Sequence, residues 1–559
     1  MHPVSNGCSI AEKLTEAELE RPSAGGLLGF LVVILVVQAS LLLGKGVLLI
    51  EKHEGDALHV LEIVFRMSEG QWPHLDFMTP LGVLSFAPIV WLMSLGLGAG
   101  KAIMVSFVLF AAILLPALWW ACYSRLSGWM AYAFGAVVIV MVTALVYGGS
   151  DQTASISMYY NRWAWSVTFV MLILVMLPAR TTRPMFDGLI IGLGLSFLAL
   201  AKIAFFMAFF PGILLALVLR KQGRTALVGL VVGVLVIGLI TIFGGIGFWS
   251  AYIGDLRAVA NSPIRDAESV SFSSLLTGSN FIAANLCLLA SIILLGQAGR
   301  AVEGTILLVL APAFIYVTFQ NWGNDPKWLI LLAVFLMTLR PERLVKNGFG
   351  WDMANCMRIA AIVCVALILP SVTSMAASDL RHAKLAREAF SPVFPNTVND
   401  DIFMNTKRMY LPSKQLAFSF DDPVIAIFTS ENHPETKPDI LFGQPLPACK
   451  LSMGLVGMLQ ATSHAVDNLA ETAGKTVFVA DTFSNLWMFG KTLAVKNGAP
   501  WLYGDTTHGL KADYVLVPIC PVKPSARSVV LQQIATTENL KFREVMRSDL
   551  FVLLRRLPD

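Results

Sequence analysis

The sequence predicts an α-helical polytopic membrane protein of about eleven spans, with interfacial helices in the first external loop, followed by a C-terminal soluble α/β domain. Of its 559 residues, 56% are hydrophobic and only 14% charged, whereas soluble domains carry about 25% charged residues. The mean hydropathy is +0.68. Apolar residues form long runs up to about residue 375 and are diluted afterwards. This composition excludes a soluble enzyme, and a net charge of +4 without a basic block excludes a nucleic-acid partner.

The predicted spans are windows of about 20 mostly apolar residues. They begin near Leu27, Ala102, Trp129, Trp163, Phe186, Ile203, Ala226, Phe281, Glu303, Lys327 and Met357. The first window is too long, and the residues before it are too acidic, for a cleaved signal peptide, so it predicts a retained span. The stretch 80–97 is ambiguous between a span and an interfacial helix.

Lys and Arg in short loops predict the orientation. They mark alternate loops as cytoplasmic, at Arg125, Arg180, Arg183, Arg220, Lys221, Arg224, Arg300, Arg340, Arg343 and Lys346. If 80–97 were a full span, the N-terminus would lie outside. We favour an interfacial helix because Pro80 and Pro88 weaken a continuous span. The predicted organisation is a cytoplasmic segment 1–26, a membrane domain 27–375 with an external loop 51–100, and an external α/β domain 376–559.

The first external loop contains an amphipathic pattern over residues 57–69. Its polar residues His59, Glu62, Arg66 and Glu69 recur at helical spacing, and Gly70 closes the segment. This predicts a helix on the membrane surface. Just before it, Asp56 places a carboxylate beside the membrane. Asp56 is either a functional group or simply an N-cap in a solvated turn.

The tail alternates strand-like and helix-like segments, which predicts a partly parallel sheet. The segments are 424–428, a helical 451–473, 476–480, a helical 484–495, 514–519, 528–534, and a final strand 548–554. Cys449 and Cys520 are the two cysteines of the tail. They are able to form a disulfide in an oxidising compartment, although the pairing cannot be read from the sequence.

The segment GDALHVLEIVFRMSEGQWPHLDFMTPLG, residues 55–82, resembles the first external loop of the GT-C superfamily of membrane glycosyltransferases. It is most similar to the family of protein mannosyltransferases and lipid A aminoarabinose transferases, and the resemblance covers roughly the first 220 residues. Asp56 takes the family's acidic position, with Ala57 where a second acid is common. Asp76 and Pro80 take the second polar motif and the proline, but the common double proline is missing.

The resemblance implies transfer of a sugar from a polyprenyl-phosphate donor to a lipid, polysaccharide or protein acceptor. The reaction would occur on the periplasmic face of a bacterial inner membrane and contribute to a cell-envelope glycan. Asp56 would be the base, with Asp151 as a helper, and Lys202, with Arg162, would bind the donor phosphate. Attack opposite the phosphate would invert the anomeric centre. The alternatives are that Lys202 snorkels to the interface and that Asp151 is merely solvated.

Further polar residues of the external loops are candidates for substrate binding. They are Asp76, His59, Tyr160, Asn161, Trp322, Asn324 and Asp325. The loop 320–327 is equally interpretable as a tight polar turn. His53 and His74, together with nearby carboxylates, suit zinc or manganese, and some relatives use a divalent cation. Their spacing matches no metal signature, however, and interfacial polar histidines are the alternative, so no cofactor is certain.

Two other classes of function remain open at this point. A secondary transporter would use Lys202 in a substrate path, but the sequence shows no related halves with matching broken spans. A membrane scaffold would use its external domain to bind an envelope partner. Neither class has a need for a carboxylate-bearing amphipathic loop beside an embedded cation, and this favours the glycosyltransferase.

Overall fold

The computed structural model describes residues 22–265, 271–278, 281–321, 324–414, 438–537 and 540–558. The described helices are α1 (Ala24–Leu43), α2 (Glu54–Ser68), α3 (Ala87–Ser94), α4 (Ala99–Arg125), α5 (Gly128–Thr143), α6 (Tyr159–Met176), α7 (Pro184–Ala201), α8 (Ile203–Leu219), α9 (Gly223–Gly244), α10 (Gly247–Ala260), α11 (Phe272–Thr277), α12 (Ile282–Gln297), α13 (Ala301–Gln320), α14 (Leu329–Leu339), α15 (Met353–Lys384), α16 (Thr406–Tyr410), α17 (Leu455–Asp467) and α18 (Pro524–Thr536). Eleven of them, α1, α4–α9 and α12–α15, coincide with the eleven predicted windows.

Helix length and surface chemistry confirm the predicted membrane fold. Among the described residues, α1, α4, α7, α9, α13 and α15 are long and apolar enough to cross a membrane, and α5, α8, α12 and α14 are shorter apolar helices. The eleventh, α6, is buried along almost its whole length. Helix α9 presents bare apolar side chains, with Ile242 79% exposed and Leu235 66% exposed. Such a surface is compatible with lipid and not with water.

The loops that carry the predicted cytoplasmic cations lie together at one end of the helices. Two ion pairs join them, Arg125 with Asp187 at 2.6 Å and Arg220 with Glu303 at 2.8 Å. The loop after α5 and the loop before α14 meet at the other end, where the Gly149 amide donates to Asp325 at 2.9 Å. These contacts agree with the prediction, from Lys and Arg positions, that successive loops lie at alternate ends of the helices.

The ambiguous stretch 80–97 is not a span. It forms a 3₁₀ turn, Val83–Ser85, and the eight-residue helix α3, which is only about 12 Å long. Gly82, just before the 3₁₀ turn, packs closely against the junction of α7 and α8. A Cβ at this position would come within 2.0 Å of the Leu200 carbonyl oxygen. The prediction of short helices in the first loop is confirmed.

Helix α2 forms where the amphipathic pattern predicted it, but its polar face is not open to solvent. Glu62 and Arg66 are 0% and 1% exposed. The Trp487 indole donates to Glu62 at 3.3 Å, and Arg66 donates to the Val495 carbonyl at 3.1 Å. The polar face of α2 is therefore covered by the C-terminal region instead of lipid headgroups and water.

The first loop and the C-terminal region share a sheet. Strand β1 (Leu48–Ile50) runs parallel to β3 (Ile402–Asn405), which pairs antiparallel with β2 (Phe390–Pro392). Helix α15 continues without a break to Lys384, past the predicted boundary at 376. Residues after the last span are thus built onto the first external loop.

A four-stranded sheet lies further along the C-terminal region. Short strand pairs, β4 (Ser413–Lys414) with β7 (Leu451–Ser452) and β5 (Ile440–Leu441) with β6 (Gln444–Pro445), precede it. The sheet has the order β10 (Phe542–Arg547), β11 (Phe551–Arg556), β9 (Tyr514–Pro518), β8 (Val477–Val479). Strands β8 and β9 are parallel and the other pairs antiparallel, so the prediction of a partly parallel sheet is confirmed.

Local predictions in the C-terminal region differ in outcome. Helix α17 lies within the predicted 451–473, and 528–534 lies within α18. The helix predicted at 484–495 is wrong, because only Leu486–Phe489 form a 3₁₀ turn and neighbouring residues of this segment contact α2. Strand β10 was missed. The predicted segment 424–428 and most of the N-terminal segment 1–26 lie outside the described residues.

Cys449 and Cys520 are joined by a disulfide across 71 residues of chain. A crosslink of that span stabilises a fold by about 2–5 kcal/mol, mainly by restricting the unfolded chain. We expect Cys449→Ser/Cys520→Ser to lower the thermal midpoint of the purified protein by several degrees. Cys356→Ser, which removes a half-buried free thiol, is the control. An unchanged midpoint in the double variant would contradict the stabilising role.

Candidate active site

Asp56 lies in the first turn of α2. The Ser157 hydroxyl, from the loop before α6, donates a hydrogen bond to its carboxylate. The start of α2 is held against the C-terminal region, since a Cβ on Gly55 would come within 2.9 Å of the Phe483 ring. Burial raises the pKa of Asp56 above its ordinary value, and the Ser157 hydrogen bond and the charge of His53 only partly oppose that shift. Asp56 is thus a positioned carboxylate with increased basicity.

Lys202 occupies the break between α7 and α8. Its backbone leaves the helical region, with φ −145° and ψ 85°, and the two helices resume on either side. The Nζ atom lies 5.3 Å from the centroid of the Tyr160 ring, a cation–π distance. No described carboxylate lies within ion-pair distance of this ammonium group. Lys202 is therefore a partly buried cation without a described anionic partner.

A second cation stands close to Lys202. Arg265 is near enough for its positive charge to act on Lys202 and on the Tyr503 hydroxyl. Two like charges in a partly buried site repel each other unless an anion lies between or beside them. The position of Arg265 was missed from the sequence. The only available signal was its location in an external loop, where cations are scarce.

Asp56 and the two cations surround the same aromatic residues. His59, three residues after Asp56 on α2, has its pKa lowered to about 4 by burial and by the positive charge of Lys202. The pKa of Tyr503 is raised by burial and by Asp56, while Arg265 opposes the rise. The charge of Lys202 acts on His59, and the charges of Asp56 and Arg265 act on Tyr503. Asp56, Lys202 and Arg265 therefore lie around one site. His59 remains neutral in it, with Nε2 lacking a hydrogen-bond partner among the described residues.

Asp151 has a different environment from Asp56. It forms an ion pair with Lys52 at 3.2 Å and accepts from the amide and hydroxyl of Thr153 at 2.9 and 2.7 Å. Although burial acts to raise the pKa of Asp151, these Thr153 and Lys52 contacts lower it overall. Its charge also acts on His53, which senses Asp56. Asp151 is therefore a fixed anion near Asp56 and is poorly suited to accept a proton.

The predicted donor-binding role of Arg162 is not supported. Its guanidinium is 1% exposed and donates to the carbonyls of Val146 and Ala144, the latter at 2.6 Å. These bonds hold the chain between α5 and α6 in place. A donor phosphate would have to displace these hydrogen bonds, because the Arg162 guanidinium already donates to two backbone carbonyls.

Three predicted sugar-binding residues, Asn161, Asn324 and Asp325, lie beside Arg162 in a different place from Asp56. The space between them is only about 10 Å³, enough for one water molecule. Asp325 accepts from Gly149 and from the ammonium of Lys327. The cluster joins two external loops, and the space among its described residues is too small for a sugar. Trp322 lies outside the described residues.

The remaining predicted polar residues are held by local contacts. Asp76 accepts from the Trp72 amide at 2.7 Å, which closes a turn. His53 Nδ1 lies 3.1 Å from the Ser155 hydroxyl, and its ring stacks on Tyr147.

The metal site predicted at His53 and His74 does not form among the described residues. His74 Nδ1 contacts Asp255 at 2.8 Å. The two histidines have different partners, because His53 contacts Ser155 and Tyr147 while His74 contacts Asp255. No group of three or more metal-ligating side chains occurs in the described part of the chain.

Comparison with known proteins shows similarity to solved structures. No family model and no curated protein matches the chain. The structure is similar to that of ArnT from Cupriavidus metallidurans in the apo state, with a TM-score of 0.36 and 12% identity over 95% of this chain and 97% of that chain. The same protein bound to undecaprenyl phosphate gives a TM-score of 0.36 and 12% identity, over 95% and 98% of the two chains.

Proposed function

We propose that this protein is a GT-C glycosyltransferase that moves a sugar from a polyprenyl-phosphate donor to an acceptor at the external end of its helices. One observation carries the proposal. A carboxylate of raised pKa, Asp56, and two cations without a described anion between them, Lys202 and Arg265, surround a single site.

Lys202 and Arg265 supply what a phosphate leaving group requires. A phosphate is already a weak base, so its departure needs cationic stabilisation more than a general acid. An isolated lysine near hydrocarbon costs a few kcal/mol, and a bound phosphate would remove that cost. Lys202 lies at the break between two apolar helices, where a prenyl chain in the lipid would present its phosphate.

Asp56 supplies the base. The acceptor hydroxyl or amine attacks the anomeric carbon from the face opposite the phosphate, and its proton passes to the Asp56 carboxylate. A bond from the acceptor oxygen or nitrogen to that carbon forms as the carbon–oxygen bond to the phosphate breaks. The polyprenyl phosphate leaves with the electron pair, and the anomeric centre is inverted. Asp151 contributes negative charge nearby and takes no proton.

We infer that the catalytic end faces the periplasm of a bacterial inner membrane. The Cys449–Cys520 disulfide supports this assignment, because disulfides persist in oxidising compartments. The region 376–559 would then be periplasmic and the segment 1–26 cytoplasmic. The acceptor would be a lipid, polysaccharide or protein of the cell envelope.

Removal of the Lys202 charge tests donor binding. We expect Lys202→Met to raise the KM for a polyprenyl-phosphate sugar by about 10- to 100-fold, the value of one lost hydrogen bond to a charged group. The assay is transfer of radiolabelled sugar in proteoliposomes supplied with a panel of such donors. Lys101→Met, at an exposed lysine at the start of α4, is the matched control. An unchanged donor KM in Lys202→Met would mean that this lysine only snorkels.

A further inference from the structure

A polar cavity of about 330 Å³ lies between α10, the loop after α2 and the C-terminal region. Its size falls within the range of small-molecule sites, about 300–1,000 Å³. Two backbone hydrogen bonds join the loop and the C-terminal region along its wall, from the Asn497 amide to the Asp76 carbonyl at 3.0 Å and from the Met78 amide to the Gly498 carbonyl at 3.1 Å. The loop and the C-terminal region are therefore joined to each other along this wall of the cavity.

The cavity adjoins the candidate active site through residues 501–503. The Trp501 ring packs against His59, with 5.5 Å between centroids, and His59 lies one helical turn from Asp56. The next two residues, Leu502 and Tyr503, line the cavity. The Tyr503 hydroxyl is close enough to Asp56 for the negative charge of Asp56 to raise the pKa of Tyr503. A molecule in the cavity would thus extend toward the proposed base.

The carboxylates of the lining disfavour an anionic occupant, and His508 is the one basic side chain of the lining besides Arg66 and His74. Asp255 and Asp505 both face the cavity. The one arginine in the lining, Arg66, is held by Glu62 at 3.0 Å and by the Val495 carbonyl. A phosphate would meet two carboxylates and no available arginine, so this cavity is distinct in chemistry from the site at Lys202 and Arg265.

Hydroxyl groups suit the same lining. The Asp255 Oδ2 atom accepts from His74 and from the Thr79 amide, while no described residue donates to its Oδ1 atom. The cavity also presents the Asn497 amide and the rings of Phe77 and Phe478. Carboxylates and amides pair with the hydroxyls of a pyranose, and aromatic rings pack against its apolar face.

We propose that this cavity binds the carbohydrate head of the acceptor, as a neutral or amine-bearing sugar, and presents its nucleophile to Asp56. The proposal rests on the glycosyltransferase function proposed above. It adds that the acceptor is a glycan or glycolipid and that its sugar lies between α10 and the C-terminal region.

The test measures binding without turnover. The full chain in nanodiscs is examined by saturation-transfer NMR with the methyl glycosides of glucose, galactose, mannose and glucosamine, and with inorganic phosphate as a competitor. We expect signal from at least one glycoside that phosphate does not displace. Ala258→Trp, which fills the cavity from α10, should abolish it. Asp505→Asn, at an exposed lining residue, should weaken binding by about tenfold.

Ile253→Trp is the matched control, because Ile253 is an exposed residue of α10 outside the cavity lining. It should keep the wild-type signal. Absence of signal from every glycoside, displacement by phosphate, or an unchanged signal in Ala258→Trp would each overturn the inference.

Failure of the proposed function has a different signature. Glycoside binding that Ala258→Trp abolishes, in a protein that transfers no sugar from any donor, would refute the glycosyltransferase and the acceptor role while leaving a sugar-binding cavity. Transfer that proceeds with the same acceptor KM in Ala258→Trp as in wild type would refute the cavity alone.

Discussion

Asp56→Asn is expected to lower kcat for sugar transfer by about 10²- to 10⁴-fold, the usual contribution of a positioned general base. The substitution keeps the size of the side chain and an oxygen that accepts from Ser157, so the local fold and the KM for the donor should change little. Transfer from a polyprenyl-phosphate sugar in proteoliposomes is the measurement. Glu69→Gln, an exposed carboxylate just after the same helix, is the control and should retain full activity.

The pH dependence of kcat provides a second readout for Asp56. A base acts only when deprotonated, and burial raises the pKa of Asp56. The rate should therefore fall as the pH drops through a value above that of an ordinary aspartate. Ser157→Ala removes the hydrogen bond that lowers this pKa, so its acid limb should move to higher pH. An acid limb that stays in place in Ser157→Ala, or wild-type turnover in Asp56→Asn, would assign the proton to another group.

The membrane helices could be predicted because one local property determines them. A window of apolar residues long enough to cross a bilayer has few other stable structures, and charges at alternate loops order those windows. Asp56 and Lys202 were selected as candidate site residues by resemblance to a family motif at the junctions of such windows. Their positions follow from local sequence, and the structure brings them to one site.

The rest of the site depends on contacts that no local pattern encodes. Arg265 and Tyr503 come from separate segments of the chain, so their proximity to Lys202 and Asp56 becomes visible only in the folded structure. The polar face of α2 has the same helical spacing whether it meets headgroups or buried protein groups. In the same way, Asn161 and Asp325 carry the hydrogen-bonding groups that a sugar site needs, but loops that lock together need the same groups.

Loss of the buried Glu62–Arg66 pair should have the largest effect on stability. The Nε and Nη2 atoms of Arg66 both donate to Glu62, at 3.1 and 3.0 Å, and neither side chain is more than 1% exposed. Glu62→Ala would leave a buried guanidinium without its anion, a change that costs about 3–5 kcal/mol. We expect a lower thermal midpoint and faster proteolysis of the C-terminal region, because Glu62 also accepts from Trp487.

The double variant Glu62→Met/Arg66→Met separates the charge from the packing. Two apolar side chains of similar volume remove the unpaired charge, and such replacements are often neutral or stabilising. The double variant should therefore be more stable than Glu62→Ala. Arg547→Ala breaks a partly exposed pair with Glu544 and should cost well under 1 kcal/mol.

Equal stability of Glu62→Ala and wild type would show that the C-terminal region does not depend on this pair to hold α2. If it does depend on the pair, Glu62→Ala should also lose transfer activity. Asp56 lies on the same helix as Glu62, and Tyr503 reaches Asp56 only while the C-terminal region is docked. Undocking would therefore expose the Asp56 carboxylate to water and return its pKa toward the ordinary value. The buried pair would thus set both the stability of the external region and the basicity of the proposed catalytic carboxylate.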